Sequence, residues 1–400
     1  MKNTNYIDIF AGCGGLSLGL YNAGFEGVFA VEKNLDAFST LDHNLIKCKK
    51  HFNWPKWLPI ENYDVNVLMK TYQKELMSLR GKIDLVAGGP PCQGFSMAGK
   101  RDSNDKRNAL VKSYVKFIRL VQPEALIFEN VHGFTLEFNS NDTRKYSNYV
   151  VSALKRLGYK TSFRIVNMSE FGVPQTRKRF ILVAMKSHDP ELVFNKLYEN
   201  KSNFLMLKGL QQLPTVFDAI DDISLSCGTV QSPDTLRFRA GVYGNCATPY
   251  QYLMRQGAAL TANIAVDSHR FVNHTEQVLE LHKELLNKAP RGKRITPSDN
   301  IVSGLKRRGV TVLDPKLPAP TITSIPDELV HYREPRILTV REHARIQSFP
   351  DWYQFKGKYT SGGKRRKMEV PRYTQVGNAV PPLFAEQIGR AILEVLNDDK

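Results

Sequence analysis

The stretch Tyr6-Ile7-Asp8-Ile9-Phe10-Ala11-Gly12-Cys13-Gly14-Gly15-Leu16-Ser17-Leu18-Gly19-Leu20-Tyr21 stands at the head of the chain. Its first five residues are a strand-like apolar run, the next five a glycine turn, and the last six read as the start of a helix. Strand, glycine turn and helix make a nucleotide-type corner, because glycine lets the backbone approach a ligand and the helix start offers unpaired amides. Alone, such a turn also suits a dehydrogenase corner or a plain tight turn. The spacing Gly12-x-Gly14-Gly15 departs from the dinucleotide pattern, in which the third glycine falls later. The next apolar run, Gly27-Val28-Phe29-Ala30-Val31, ends in Glu32. A carboxylate at the end of the second strand suits a ribose diol, and an exposed strand-end glutamate is the ordinary alternative.

Outward from the corner, strand-like runs alternate with helix-like ones at 35–43, 67–79, 109–121 and 146–157, as far as residue 185. That alternation predicts an α/β domain with a mostly parallel sheet and helices on both faces. From about 190 to 335 it is lost. This stretch is rich in Ser, Pro and Gly and carries Pro315, Pro318, Pro320 and Pro326, so it reads as a second, irregular domain. There is no internal repeat and no low-complexity tract.

A second decisive run, Gly88-Gly89-Pro90-Pro91-Cys92-Gln93-Gly94-Phe95-Ser96, follows the strand-like Ile83-Asp84-Leu85-Val86-Ala87. Glycines and prolines fix the backbone there and put one thiol at the tip of a turn, where a flat ring can meet Cys92 face-on. Most free cysteines are inert core residues, but the company of this one favours a nucleophile. Ala125-Leu126-Ile127-Phe128 is another strand and ends in Glu129-Asn130-Val131. Gln175-Thr176-Arg177-Lys178-Arg179 heads the strand Phe180-Ile181-Leu182-Val183-Ala184. In one strand Arg177 and Arg179 share a face, since side chains alternate; a solvated basic edge is the alternative.

The chain has 400 residues with 56 Lys plus Arg against 39 Asp plus Glu, a formal charge of +17. Nucleic acid is the natural partner for such a surplus. The basic clusters Arg291-Gly292-Lys293-Arg294, Lys306-Arg307-Arg308 and Lys364-Arg365-Arg366-Lys367 suit it, or serve as solubilising faces. Cys13, Cys48, Cys92, Cys227 and Cys246 form no close CxxC pair, which argues against a zinc ribbon or a disulfide framework, so no metal is expected. No secretory pattern or membrane-length apolar run is present, and a cytoplasmic monomer is expected.

Taken in order, these blocks resemble the DNA (cytosine-5) methyltransferase family. The resemblance rests on Asp8-x-Phe10-x-Gly12-x-Gly14-Gly15, Pro91-Cys92-Gln93, Glu129-Asn130-Val131 and Gln175-x-Arg177-x-Arg179. It continues in Arg341-Glu342-x-Ala344-Arg345-x-Gln347-x-Phe349-Pro350 and Gln375-Val376-Gly377-Asn378-Ala379-Val380-Pro381. The blocks cover most of residues 6–185 and then 336–390. The absence of a large regulatory domain before them resembles the compact bacterial or phage type.

The resemblance implies a Rossmann-like α/β domain that binds S-adenosylmethionine, formed by 1–190 and 371–400, with a target-recognition domain at 191–335 and a bridge at 336–370. In the family the last strands are partly antiparallel and the tail around Asn378 returns beside the cofactor. Leu338, Ala344 and Ile346 suit a helix under the recognition domain. The implied cofactor residues are Phe10, Ala11, Gly12, Cys13, Gly14, Gly15, Glu32, Asp64, Pro90, Leu110, Asn378 and Val380. Asp64 follows Tyr63 where the family usually has glycine. The implied catalytic residues are Cys92, Glu129, Arg177 and Arg179. Ser96, Lys100, Arg101, Thr321 and Ile322 are the implied DNA contacts, with 96–107 closing on the DNA backbone; a plain solvated loop is the alternative there. The partners implied are duplex DNA and, as one the family admits, a cognate restriction endonuclease acting on the same site without a stable complex.

The chemistry explains the residue types. Carbon 5 of cytosine becomes nucleophilic only when the ring loses its aromaticity, and thiolate addition to carbon 6 does this. In this scheme Glu129 contacts ring nitrogen 3, Arg177 orients the base and Arg179 supports the site. A proton-donating Glu129 calls for burial to raise its pKa, and nearby arginines act the other way. A cytosine stacked in a duplex must be flipped out first, at a few kcal/mol. The tRNA-methylating branch shares these blocks, and the long irregular middle speaks for DNA. A dehydrogenase would leave Cys92, Glu129 and the arginines unexplained, and a catalytically dead relative would not need them all.

Overall fold

Strands β1 (Asn5–Ile9), β2 (Glu26–Val31), β3 (Leu85–Gly88), β4 (Ala125–Val131), β5 (Lys160–Asn167) and β7 (Lys178–Met185) form one six-stranded sheet in the order β2-β1-β3-β4-β7-β5; the two-residue β6 (Gln175–Thr176) pairs elsewhere. The structure is a computed structural model and describes residues 4–91, 109–135, 146–210, 212–258, 264–305, 309–360 and 369–398. β1 pairs in parallel with β2 and β3, and β3 with β4, whereas β7 runs antiparallel to both β4 and β5. The expected mostly parallel sheet is present, with its last strands partly antiparallel.

The central strands are continuous apolar runs because helices cover both faces. Ile7, Ile9, Phe29, Val86, Leu126, Phe128 and Leu182 are fully or almost fully buried in one cluster, each contributing roughly 1.5–3 kcal/mol by burial. Helices α1 (Gly15–Ala23), α2 (Leu35–Leu41), α3 (Val65–Thr71), α4 (Gln73–Met77), α5 (Ala109–Val121) and α6 (Tyr146–Arg156) lie between the strands in sequence. α5 buries Val111, Tyr114, Phe117, Ile118 and Val121, a three-to-four spacing that puts them on one face. Tyr114 meets Phe128 edge-on at 5.1 Å. The reading at 35–43 understates its helix, since a π-helical segment, Asp42–Cys48, continues α2. β5 was not anticipated: it lies at the sheet edge, and its Phe163 and Ile165 are exposed.

The chain divides into two compact units, Met1–Asn167 with Lys178–Ser202 and Phe384–Lys400, and Met168–Arg177 with Asn203–Leu383. In the first, the sheet is joined by the chain's end. A Cβ on Gly19 of α1 would collide with Ala385 of the helix Pro382–Asn397, so the two backbones meet without an intervening side chain.

The second unit holds 336–370, expected as a bridge, and 371–383, expected with the cofactor-binding domain. It has a three-stranded sheet (Arg294–Ile295, Val310–Val312, Leu329–Val330) and a pair formed by Thr229–Gln231 and Arg239–Gly241. β6 pairs with Ala319–Pro320. The supposedly irregular middle also contains a 13-residue helix, Glu276–Lys288, built on an apolar stripe that the charged residues around it conceal. At its heart is the helix Val340–Ile346, started by a capping box between Thr339 and Glu342. All seven residues are buried, as are Leu338 and Gln347. Its charges are therefore paired inside: Arg336 grips Glu342 at 2.7 and 2.8 Å, Arg341 meets Asp267 at 2.9 Å, and Arg345 meets Asp351 at 2.7 and 2.9 Å. Removing one partner of such a pair leaves an uncompensated buried charge, which costs about 3–5 kcal/mol. Burial tends to raise the pKa of Glu342, but Arg336 outweighs it and holds the carboxyl well below the usual range.

Candidate active site

β1 and β3 pair with Ile9 opposite Gly88, and β3 and β4 with Gly88 opposite Phe128. The residues that follow these positions therefore come together at one edge, Phe10 and Gly89 just beyond their strands and Glu129 still paired with Ile181 of β7. Parallel strands carry ligand sites at their carboxyl ends, and here three of the sequence blocks converge there.

The glycine corner is a backbone cradle. Phe10, Gly12 and Gly14 have φ of 62°, 57° and 89°, the left-handed region that favours glycine and strains Phe10. A Cβ on Gly12 would meet nothing within 4 Å, so the space in front of the turn is open. Glu32 closes the turn from the side: Oε2 accepts the Gly12 amide at 2.9 Å and Oε1 the Asn34 amide at 2.7 Å. Each oxygen keeps a further acceptor site, which is what a vicinal diol needs. Burial raises the Glu32 pKa, and those amides oppose the rise. Beneath the turn, Asp8 is buried and accepts from the Ser17 hydroxyl at 2.5 Å, while its Oδ1 has no hydrogen-bond partner. Burial pushes its pKa up to about 7, against the Ser17 hydrogen bond. Cys13, also in the turn, is buried, and its thiol is pushed up to about 12, which leaves it no thiolate at neutral pH.

Asp64 caps α3, accepting from the amides of Asn66 at 2.9 Å and Val67 at 3.4 Å, and pairs with Lys33 at 3.0 Å. Although burial pushes its carboxyl up, Lys33 and these amides bring it below the ordinary value. Pro90 is buried, and its carbonyl accepts from Asn130 Nδ2 at 3.1 Å, tying the turn after β3 to the end of β4. Leu110 is half-buried in the first turn of α5.

Glu129 and Arg179 form an ion pair of 3.0 Å from Oε1 to Nε. Register explains it: Ile181 is opposite Glu129 and Arg179 opposite Val131, so Arg179 is the diagonal neighbour on the same face. Burial lowers the Arg179 pKa, and Glu129 restores part of it. The other oxygen of Glu129 faces Gly89, where a Cβ would stand 2.8 Å from Oε2. Gly89 is more than a turn former, since its missing Cβ leaves room for this carboxylate.

Arg177 does not share a strand face with Arg179. The chain breaks between β6 and β7 at that residue, which belongs to the second unit. Its guanidinium is buried and donates to the carbonyls of Ile322 at 3.1 Å, Gly377 at 3.0 Å and Ala379 at 3.3 Å. Gln175 extends the network, donating to Gln347 and accepting the Ile322 amide, both at 2.8 Å. Gln347 donates to the Val376 carbonyl at 2.8 Å. Three sequence blocks that earlier had no stated connection are thus laced together by two glutamines and an arginine. Asn378, exposed, and Val380, buried, also belong to the second unit. Thr321 is exposed and donates to the Thr176 carbonyl at 2.8 Å, whereas Ile322 is buried. Cys92, Ser96, Lys100 and Arg101, with the clusters at 306–308 and 364–367, lie outside the described residues.

No helix among the described residues is long and apolar enough to cross a membrane. A profile described as C-5 cytosine-specific DNA methylase matches residues 4–394. The Type II methyltransferase M1.HphI of Haemophilus parahaemolyticus is 32% identical over 98% of this chain and 87% of its own. The Type II methyltransferase M.DdeI of Desulfomicrobium norvegicum is 31% identical over 97% of this chain and 88% of its own. A crystal structure of an E. coli prophage protein assigned as a DNA modification methyltransferase superposes with a TM-score of 0.68 at 25% identity, covering 99% of this chain and all of that one.

Proposed function

The chain belongs to the C-5 cytosine-specific DNA methylase family, and on that footing we propose that it methylates carbon 5 of a cytosine flipped out of one specific duplex DNA site, through a covalent adduct of Cys92. We read it as the modification enzyme of a Type II restriction-modification system, like its named relatives, with an endonuclease that acts on the same site as its counterpart. The observation that carries the chemistry is the convergence of the glycine corner, the Gly89-Pro90 turn and the Glu129–Arg179 pair on one edge of the sheet.

The cradle at Gly12 and the spare acceptor sites of Glu32 fit S-adenosylmethionine, the Glu32 carboxylate taking the ribose diol. Bound there, S-adenosylmethionine supplies the methyl group that carbon 5 accepts. The Cys92 thiolate adds to carbon 6, and the electron pair of the 5,6 double bond moves onto carbon 5. Glu129 meets ring nitrogen 3 through Oε2, the oxygen that Arg179 leaves unengaged, and stabilises the charge that builds on the ring. After methylation the carbon 5 proton departs, the double bond reforms and the Cys92 sulfur is expelled. Arg177 acts as a positioning residue through the three carbonyls it holds. The second unit reads the DNA, with Thr321 among its contacts and Ser96, Lys100 and Arg101 joining from the first.

Trapping tests this. Duplex DNA carrying 5-fluorocytosine at the target should give an adduct that survives denaturation only with S-adenosylmethionine present, since fluorine cannot leave as the proton does. Fluorinated tRNA and Cys92→Ala should give none. Adducts on tRNA alone would move the substrate to RNA, and equal trapping by Cys92→Ala would remove Cys92 from the mechanism.

A further inference from the structure

Buried and half-buried arginines of the second unit, with one exception among the described residues, hold a carboxylate or a backbone carbonyl. Arg255, Arg336, Arg341, Arg345 and Arg372 hold carboxylates, and Arg177 and Arg291 hold backbone carbonyls. Arg270 is the exception. Among the described residues its side chain has no hydrogen-bond partner and no carboxylate within ion-pairing distance, and its Nε is buried without an acceptor. Its backbone is fixed: residue 270 bridges Ala240, and the Phe271 amide donates to the Arg239 carbonyl at 2.9 Å. His269 and Phe271 on either side are buried, so by strand alternation Arg270 projects the other way.

Rings hold it instead. The guanidinium carbon lies 4.1 Å from the ring centroid of Phe238 and 3.8 Å from that of Tyr359. Tyr359 is itself locked, its hydroxyl donating to Asp234 at 3.2 Å and its ring carrying Arg372 at 4.3 Å. Arg372 in turn is tied to Asp234 at 2.7 Å, Ser268 at 3.1 Å and the Gly357 carbonyl at 2.9 Å. Two aromatic contacts hold the Arg270 fork and half-bury it, and burial accordingly lowers its pKa, against the pull of Tyr359, Tyr373 and Asp234. A half-buried fork held flat by two rings, with its terminal donors unspent, is oriented for a ligand that offers two acceptors in one plane.

A phosphate accepts donors from many directions and gains little from a locked plane. The O6 and N7 atoms of guanine are two acceptors in one plane at the spacing of the fork. We propose that Arg270 is a specificity-determining residue whose two terminal amino groups donate to O6 and N7 of one guanine in the methylated site. This rests on reading the second unit as the part that recognises DNA.

The test uses the full-length enzyme on a pool of random duplexes, with bisulfite sequencing to define the methylated motif. Wild type should require a guanine at one position that Arg270→Met no longer requires, discrimination there falling about 10- to 100-fold while the other positions hold. Arg270→Lys should keep the charge and still lose the discrimination, because an ammonium is not a fork. Replacing that guanine by 7-deazaguanine should slow wild type about tenfold or more and leave Arg270→Met unchanged, a readout on DNA that does not depend on the stability of a variant. Uniform weakening on all sequences, with the log-log salt slope reduced by about 0.9, would make Arg270 a phosphate contact and overturn the proposal. An unchanged motif in both variants, or a wild-type motif without guanine, would also overturn it. Methylation without site selectivity by wild type would instead remove the reading of the second unit on which the proposal stands.

Discussion

Arg177 and Arg179 are two residues apart and differ in what they are for. Arg179 sits in the first unit at the end of a long strand, where it meets one carboxylate, Glu129, at 3.0 Å and the carbonyl of its own neighbour Lys178 at 2.8 Å. Arg177 sits in the second, buried, with its donors spread over three main-chain carbonyls. A guanidinium that meets a carboxylate beside it fixes where that side chain stands. One that holds backbone segments from distant parts of the sequence is framework. The comparison teaches that the same residue type in the same sequence block can face one carboxylate or bind together distant main-chain segments, according to what lies within its reach.

The sharpest way to break this contrast is Arg177→Ala. Losing charge-assisted hydrogen bonds and leaving buried carbonyls without donors should destabilise the protein by on the order of 3 kcal/mol or more, seen as a lower urea midpoint. Loss of activity at unchanged stability would move Arg177 from the framework to the cytosine. Next in size is Glu129→Gln, expected to slow single-turnover methylation by about 100- to 1,000-fold with DNA affinity and unfolding midpoint nearly unchanged. Equal losses of rate and stability would make the Glu129–Arg179 pair architecture as well, and the contrast would fail.

The fold was legible where physics writes continuously. β1 to β4 and β7 are apolar on both faces and show as unbroken runs. β5 mixes polar and apolar residues and exposes Phe163, Arg164 and Ile165 in a row, so it left no such run. The sequence blocks were legible one by one, but the partners of their residues were not. That Arg179 reaches Glu129 depends on the register of two antiparallel strands, and that Oε2 has room depends on the missing Cβ of Gly89. The Arg270 stack draws on Phe238, Tyr359 and Arg372, which no short motif connects.

The smallest expected effect concerns the floor of the glycine corner. Asp8 has its folded pKa raised from 3.8 to about 7 by burial, so the folded state holds a proton that the unfolded state has already lost between those values. Stability must then fall as pH rises, and integrating between pH 6 and 8 around a folded pKa near 7 gives a loss of about 1.4 kcal/mol. Asp8→Asn, which mimics the protonated acid, should remove that part of the pH dependence in urea melts at the two pH values. Parallel curves for the two proteins would mean that Asp8 is ionised throughout and that the corner tolerates a buried charge.

The chain passes between its two units at 167/168, 177/178, 202/203 and 383/384. For anyone exchanging the second unit among relatives, the transplant therefore comes in two pieces. A graft of 203–383 alone would bring in new carbonyls at 322, 377 and 379 and leave the host's Gln175 and Arg177 to meet them. The ten residues 168–177 have to travel with the larger piece, as the short half of a matched set.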